Sequence, residues 1–284
     1  MPSLSVDDTR LYYDEQGRGA PLLLIHGLGS SSRDWFKQVD YFANRYRVLR
    51  VDLRGHGRSE RPPGPYHIAQ FARDVAVCLR RLDAAPAHVV GLSMGGMVAL
   101  QLAADAPHLV RSLVVANSVA DTRLQTWGDI WFYVSRRLTV QLLGMRRVGR
   151  LLAGRLFPKP DQESHRREFI KRWAQNDEQA YVWSVDAIMG WSVWDRLPSI
   201  SASTLLVSSD QDYTPVAAKN RIAARMPNAE LAVVDDARHA LPVEKPDVFN
   251  ALVDDFLRRV DGPDTKQTDA SEAVRSVVEE MSAG

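Results

Sequence analysis

The five residues Gly91-Leu92-Ser93-Met94-Gly95 constrain this chain more than any other segment. Mostly apolar residues precede them at 87–90, and a helix-forming run follows at 97–104. This order predicts a buried strand, a tight turn that carries a serine, and then a helix. The two flanking glycines remove side chains that would collide across the turn, so the serine is expected to sit at a strained backbone angle with its hydroxyl facing solvent.

Short apolar runs rich in valine, leucine and isoleucine alternate with longer helical patterns along most of the chain. Continuous apolar strands that alternate with helices are typical of a mostly parallel sheet covered by helices on both faces. The predicted fold class is therefore α/β. The predicted strands are residues 11–14, 22–26, 48–52, 88–92, 113–116, 204–207 and 231–234, and the predicted helices are 34–44, 68–83, 97–105, 216–226 and 246–260.

The alternation stops between residues 121 and 198, where no strand pattern is found and six of the seven tryptophans are concentrated. We interpret this stretch as a helical insertion, or cap, over the carboxyl edge of the sheet. The predicted domains are a core in two parts, residues 1–120 and 199–260, separated by the cap at 121–198. Residues 261–284 are polar and acidic, and are expected to form a short helix or a disordered tail.

One face of the cap sequence is apolar from Trp131 to Leu156, with steps of three or four residues. Arginines, among them Arg136, fall on the other side. We expect the apolar face to pack onto the sheet and roof the site. Contact of the cap with a lipid surface is the less favoured alternative, suggested by six arginines against one acidic residue between positions 127 and 157.

The composition excludes several classes of protein. With 284 residues and 45% hydrophobic content, the chain can bury a large core, and its net charge of +1 gives no field that would attract nucleic acid. Its single cysteine, Cys78, excludes an internal disulfide framework and is expected to pack in the core. The amino terminus lacks the features of a signal peptide and no apolar window is long enough to span a membrane, so a soluble cytoplasmic protein is expected.

A serine hydroxyl is a weak nucleophile, so Ser93 needs a general base and an anion that orients this base. His239 is the candidate base because it lies between the last predicted strand and the last predicted helix. Asp212 lies on the loop after strand 204–207 and is the favoured acid. Asp210 is its main rival for this role, and Asp121 is a more distant one.

The oxyanion that develops on an attacked carbonyl needs hydrogen-bond donors. One candidate is the backbone N–H of Met94 at the start of the helix after the turn. The second is the N–H of Leu28 in the loop His26-Gly27-Leu28-Gly29. His26 is expected to fix this loop by hydrogen bonds. No histidine pair has the spacing of metal ligands and no dinucleotide-binding loop follows the first parallel strand, so neither a metal nor an organic cofactor is expected.

Five motifs in a fixed order resemble the α/β-hydrolase fold family, in particular its bacterial esterases, lactonases and enol-lactonases. The resemblance implies a catalytic triad of Ser93, Asp212 and His239, an oxyanion hole made by the Leu28 and Met94 amides, and a lid formed by residues 121–198. Haloalkane dehalogenases and epoxide hydrolases carry aspartate where this chain has serine. The motifs are His26-Gly27-Leu28-Gly29, Asp52-Leu53-Arg54-Gly55-His56-Gly57-Arg58-Ser59, Gly91-Leu92-Ser93-Met94-Gly95-Gly96, Asp212-Tyr213-Thr214-Pro215 and His239-Ala240-Leu241-Pro242.

The function predicted from these features is hydrolysis of a small, largely apolar carboxylic ester or lactone through an acyl-enzyme. Cleavage of a C–C bond, hydrolysis of a thioester and acyl transfer would use the same triad and remain alternatives. A ligand receptor without turnover, built on a hydrolase scaffold, is the alternative from another class. The oligomeric state is left open.

Overall fold

One eight-stranded sheet organises the protein in a computed structural model that describes residues 2–7 and 9–262. The strand order is β1-β2-β4-β3-β5-β6-β7-β8. The pairs β1–β2 and β2–β4 are antiparallel, and all pairs from β4 to β8 are parallel. The predicted α/β class is therefore confirmed. The strands are β1 Ser3–Val6, β2 Thr9–Gln16, β3 Ala20–Ile25, β4 Tyr46–Val51, β5 Ala87–Leu92, β6 Val110–Ala116, β7 Ser203–Ser209 and β8 Ala229–Val234.

Helices cover both faces of this sheet. Alternate residues of β3 point to opposite sides, so Leu23 and Ile25 join one hydrophobic core while Leu22 and Leu24 join the other. Helices α2, α3 and α7 pack on the first core, and α1, α8 and α9 pack on the second. The helices are α1 Phe36–Phe42, α2 Ile68–Arg81, α3 Met94–Asp105, α4 Trp127–Leu156, α5 Glu163–Trp173, α6 Glu178–Ile188, α7 Val216–Ala223, α8 Leu241–Glu244 and α9 Pro246–Asp261.

All seven predicted strands and the five predicted helices are present, with their ends shifted by a few residues. Strand β1 was not predicted, because its four residues, Ser3–Val6, are too short and too polar to give a clear pattern. Cys78 is buried as expected, and this burial raises the pKa of its thiol to about 12. The predicted tail at 261–284 begins at the last residue of α9, and positions 263–284 lie outside the described residues.

Helices α4, α5 and α6 form an insertion between β6 and β7. Its two ends are joined at the base, where Asp121 forms an isolated bridge with Ser192 and the Val193 N–H donates to the Ala120 carbonyl at 2.9 Å. The insertion has a small apolar cluster of its own, which includes Trp173 and Tyr181 and packs against Leu28 of the core. We refer to residues 121–198 as the cap, and their action as a lid stays a prediction.

The first half of α4 contradicts the prediction that its apolar face packs inward. Trp131 and Leu142 are 69% and 75% exposed, whereas Met145 and Val148, beyond the break at Gly144 where φ is 70°, lie in the cap core. Polar side chains of this half face α6: Tyr133, Arg136 and Arg137 bond Asp186 and Tyr181. Because Asp186 and Tyr181 of α6 bond these polar side chains, the apolar side of this half of α4 faces solvent.

No helix in residues 2–7 and 9–262 is long and apolar enough to cross a lipid bilayer. Over the same residues, no cluster of histidine, cysteine and acidic side chains is arranged to hold a metal ion.

Candidate active site

Ser93 lies in a sharp turn between β5 and α3 with φ 56° and ψ −119°, a left-handed backbone conformation that a serine rarely adopts. The turn is held by close backbone contacts. A Cβ atom on Gly91 would overlap the Gly95 carbonyl, and one on Gly95 would overlap the Ile25 carbonyl at the end of β3. A side chain at either position would therefore clash with the backbone, so both residues have to be glycine, as the sequence predicts.

Asp212 and His239 meet at the carboxyl ends of β7 and β8. Asp212 Oδ1 lies 2.7 Å from His239 Nδ1, and the Asp212 side chain is fully buried. An ionised carboxylate can only accept here, so Nδ1 carries the proton and Nε2 is free to accept one. The rival acids are bonded elsewhere: Asp210 accepts the Ala237 N–H at 3.0 Å, and Asp121 pairs with Arg123 at 2.7 Å.

A buried lysine stands behind Asp212. Lys219 Nζ lies 3.0 Å from Asp212 Oδ2, and both side chains are almost fully excluded from solvent. The Thr214 hydroxyl donates to the same carboxylate oxygen. Desolvation raises the pKa of the Asp212 carboxyl, but the hydrogen bonds and charges of its neighbours His239, Thr214 and Lys219 outweigh this effect and hold the pKa below its ordinary value. Asp212 is therefore ionised at neutral pH.

The backbone that carries His239 is anchored by a buried amide. Asn117 is the residue that directly follows β6. Its Nδ2 donates to the carbonyl of Arg238 at 3.1 Å and to the carbonyl of His239 at 3.0 Å. Its Oδ1 accepts the Ser209 N–H at 2.8 Å. This one side chain ties β6, β7 and the histidine loop together, which fixes where the imidazole stands.

Tyr213 separates the nucleophile from the base. Its hydroxyl lies 2.6 Å from His239 Nε2 and also hydrogen-bonds to Ser93. Desolvation of the hydroxyl and the nearby Asp212 carboxylate raise the pKa of Tyr213, so the hydroxyl is neutral and donates to Nε2. Ser93 and His239 therefore both hydrogen-bond to the Tyr213 hydroxyl, although Tyr213 as a whole is 67% exposed.

The loop that carries Leu28, one of the two predicted oxyanion donors, lies against Ser93. A Cβ atom on Gly27 would stand 3.4 Å from Ser93 Cβ, so Gly27 lies against the serine. Leu28 is the next residue of the loop. Met94 is the first residue of α3, where an N–H has no acceptor within the helix. Met94 thus follows Ser93 directly, and Leu28 follows a residue that lies against Ser93. Their role as oxyanion donors stays a prediction.

Two buried histidines shape this loop. His26 Nδ1 lies 2.8 Å from the Gly27 carbonyl, and its Nε2 accepts the Leu53 N–H at 3.0 Å. His56 packs against His26 with 5.1 Å between ring centroids. Desolvation lowers the pKa of both rings, to about 3 for His56, so both are neutral. His26 fixes the loop as the sequence predicts.

Arg136 of α4 reaches toward the same site from the cap. Its Nη2 and Nε lie 2.6 and 3.0 Å from the Tyr181 hydroxyl, and its charge acts on the Tyr213 hydroxyl. Tyr181 belongs to the cap cluster that packs on Leu28. Within the described part of the chain, Arg136 forms no ion pair with a carboxylate, whereas its neighbour Arg137 pairs with Asp186 at 2.9 Å.

A polar cavity of about 180 Å³ lies elsewhere, between the loop after Gly29 and α5. Arginines and aspartates line it, among them Arg58, Arg172 and Asp34, and none of the predicted catalytic residues does. We therefore place the candidate site at Ser93 and not in this cavity.

Four residues of the site were not predicted from the sequence: Asn117, Tyr213, Lys219 and Arg136. Tyr213 lies within the motif Asp212-Tyr213-Thr214-Pro215, which indicated the acid but no role for the tyrosine ring. Lys219 follows one turn into α7, where a cation on an otherwise apolar inner face was the available signal. Arg136 was placed on the outer side of α4, since the helical pattern alone cannot show that Tyr181 faces it.

Comparison with known proteins gives a consistent picture. Residues 20–246 match the family model described as alpha/beta hydrolase fold. RutD of Azorhizobium caulinodans is 31% identical over 92% of this chain and 100% of its own length, and 3-oxoadipate enol-lactonase 2 of Acinetobacter baylyi is 29% identical over 90% and 96%. The crystal structure of the enol-lactonase from Burkholderia xenovorans LB400 superposes with a TM-score of 0.83 at 28% identity, covering 90% of this chain and 99% of that one. The chain belongs to the α/β-hydrolase fold family and resembles its hydrolases.

Proposed function

We propose that this protein is a serine hydrolase that cleaves a carboxylic ester or lactone through an acyl-enzyme. The observation that carries the proposal is the hydrogen-bonded pair of His239 and Asp212 beside a serine held at a strained turn. Nucleophile, oriented base and anion are the three parts that acyl transfer to a serine requires. Met94 follows this serine, and Leu28 follows Gly27, which lies against it, so the amides of Leu28 and Met94 are the proposed oxyanion hole.

The reaction then proceeds in two halves. His239 Nε2 takes the proton of Ser93 as the oxygen attacks the carbonyl carbon, and Asp212 stabilises the imidazolium. The tetrahedral intermediate collapses, and the alcohol leaves with the proton that His239 returns. In the second half a water molecule loses its proton to His239, attacks the acyl-enzyme and frees the acid. For a lactone, the alcohol and the acid are the two ends of one product.

The Tyr213 hydroxyl has to leave His239 Nε2 before a direct proton transfer from Ser93. Tyr213 is two-thirds exposed on a loop, so its ring has room to move. A substrate carbonyl entering beside Ser93 would displace the hydroxyl, and the nucleophile would then bond directly to the base. The resting arrangement thus keeps the base occupied until substrate binds.

A largely apolar substrate that also carries an acid group fits the site better than one without such a group. The Arg136 cation acts on Tyr213 and has no carboxylate partner among the described residues. A carboxylate on the acyl part of the substrate would supply that partner in a partly buried setting, where such a bond is strong. The names of two relatives from Acinetobacter baylyi, 3-oxoadipate enol-lactonase 2 and (E)-2-((N-methylformamido)methylene)succinate hydrolase, also refer to dicarboxylic acids.

The activity is tested with a panel of 4-nitrophenyl esters and lactones of graded chain length, using wild type and Ser93→Ala. Loss of a triad member typically lowers kcat by about 10⁴ to 10⁶. Residual turnover within tenfold of wild type would refute the role of Ser93. Hydrolysis of C–C ring-fission products or thioesters in place of the panel would support the alternatives.

The acid group is tested by comparing 4-nitrophenyl hydrogen adipate with 4-nitrophenyl hexanoate, which differ in a terminal carboxylate. Arg136→Gln should lower kcat/KM for the adipate by about 10- to 100-fold, the loss of a charge-assisted bond, and change the hexanoate little. Arg147→Gln, an exposed arginine of the same helix, is the matched control. An equal loss on both esters would contradict the assignment.

A further inference from the structure

The outer face of the cap carries a long unpartnered apolar stripe. Trp127 and Trp131 are 86% and 69% exposed, and further apolar side chains follow at helical spacing along α4. Soluble proteins rarely expose large contiguous apolar patches, and such patches mark sites of interaction with proteins, membranes or ligands. We call this surface the α4 stripe; it comprises Trp127, Ile130, Trp131, Val134, Leu138, Leu142 and Leu143.

The stripe is not an accident of a loosely packed helix. The opposite side of the same turns is bonded to α6, since Arg137 pairs with Asp186 at 2.9 Å and Arg136 bonds Tyr181. Val140 of α4 is buried in the cap core together with Tyr181 of α6. Rotating the helix to bury the tryptophans would break these bonds and leave charged groups in an apolar environment, which is costly. The outward direction of the stripe is therefore fixed by the fold.

Exposed cations follow the stripe along α4, beyond the break at Gly144. Arg146, Arg147, Arg150 and Arg155 are exposed, and none of them forms an ion pair within residues 2–7 and 9–262. Arg146 also lies next to Arg167 and Lys171 of α5 in a shallow, mainly apolar depression. Because Asp129 is the one acidic residue of α4, nothing on this helix neutralises the basic half.

We propose that this face of the cap docks on an anionic lipid surface, with the α4 stripe in the interface and the arginines on the headgroups. An interfacial helix combines exposed aromatic and aliphatic side chains with basic residues. A second copy docked through the same face would bring two basic surfaces together, which charge repulsion disfavours. Docking would place the cap between the membrane and Ser93, so a substrate held in the lipid phase could enter beneath it.

The test is cosedimentation with sucrose-loaded vesicles of phosphatidylcholine containing one-quarter phosphatidylglycerol, against pure phosphatidylcholine, at 50 and 500 mM NaCl. Wild type should pellet with the anionic vesicles at low salt, and its tryptophan emission should shift to the blue. Arg146→Gln/Arg147→Gln/Arg150→Gln should lower the partition coefficient by about a hundredfold, roughly fivefold for each charge. Trp127→Ser/Trp131→Ser should lower it by at least about tenfold.

The matched control is Arg73→Gln/Arg80→Gln/Arg221→Gln, which removes three exposed arginines from α2 and α7. It should bind vesicles nearly as wild type does, and thermal unfolding should confirm that every variant is folded. Recovery of wild type in the supernatant at low salt would overturn the proposal. So would a dimer in light scattering that Trp127→Ser/Trp131→Ser converts to a monomer, because the stripe would then bind a second copy.

Discussion

Replacement of Asp212 by asparagine tests the chemistry and the packing of the site at once. The carboxylate holds His239 Nδ1 at 2.7 Å, and an amide in its place stabilises the wrong tautomer and no longer balances an imidazolium. A loss of about 10⁴ in kcat is expected, which corresponds to about 5.4 kcal/mol in the activation barrier.

The same substitution leaves the buried Lys219 ammonium, 3.0 Å away, without its anion. Removing one partner of a buried ion pair costs about 3–5 kcal/mol, because the remaining charge is uncompensated. At about 2–4 °C for each kcal/mol, Tm should fall by about 6–20 °C. Asp212→Asn/Lys219→Met removes both charges, so it should regain most of the lost Tm while kcat stays about 10⁴-fold below wild type.

The assay combines ester hydrolysis by purified variants with Tm from thermal unfolding at pH 7.5. Asp210→Asn is the control, because Asp210 is exposed and accepts hydrogen bonds from backbone N–H groups of its own loop and of the loop after β8. It should keep kcat within a few-fold of wild type. A larger kcat loss in Asp210→Asn than in Asp212→Asn would move the acid to Asp210. Failure of the double variant to regain Tm would refute the reasoning about the ion pair.

Three further predictions follow from other parts of the site. His56 has a pKa of about 3 in the folded protein, whereas in the unfolded chain it takes up a proton below its ordinary pKa of 6.5. The free energy of unfolding should therefore decrease as the pH is lowered from 6.5 toward 3, by about 2 kcal/mol at pH 5 relative to pH 7.5. Denaturant unfolding of His56→Asn should lack this part of the pH dependence. Tyr213→Phe frees His239 Nε2, so labelling of the serine by a fluorophosphonate should become about two- to tenfold faster; a large decrease would instead make the hydroxyl a proton relay. Gly95→Ala places a Cβ against the Ile25 carbonyl, so it should yield little folded protein in a solubility and unfolding assay, and a stable, active variant would contradict the close packing of the turn.

The sheet and the turn at Ser93 could be predicted because local sequence determines them. The strands are continuous apolar runs, and Gly91 and Gly95 are required by contacts within the turn and with the adjacent strand. The loop positions of Asp212 and His239 follow from the rule that parallel strands end at one edge of the sheet. Motif order then connects residues that are far apart in the chain.

The cap could not be predicted in the same way, because its helix orientation depends on partners from another element. The pattern of α4 indicates an apolar face but not which side meets the protein, and Tyr181 and Asp186 of α6 decide this. The contact between Lys219 and Asp212 likewise depends on how α7 packs under the loop. Tyr213 was missed because a side chain's direction from a loop follows from tertiary packing and not from periodicity.

The most direct measurement is the site of covalent labelling by a fluorophosphonate, read by intact mass and peptide mapping. A nucleophilic serine activated by His239 should take up one equivalent at Ser93, and His239→Ala should abolish the labelling while the protein stays folded. Absence of label from the folded wild-type protein, or label at another serine, would contradict a serine-hydrolase mechanism at this site.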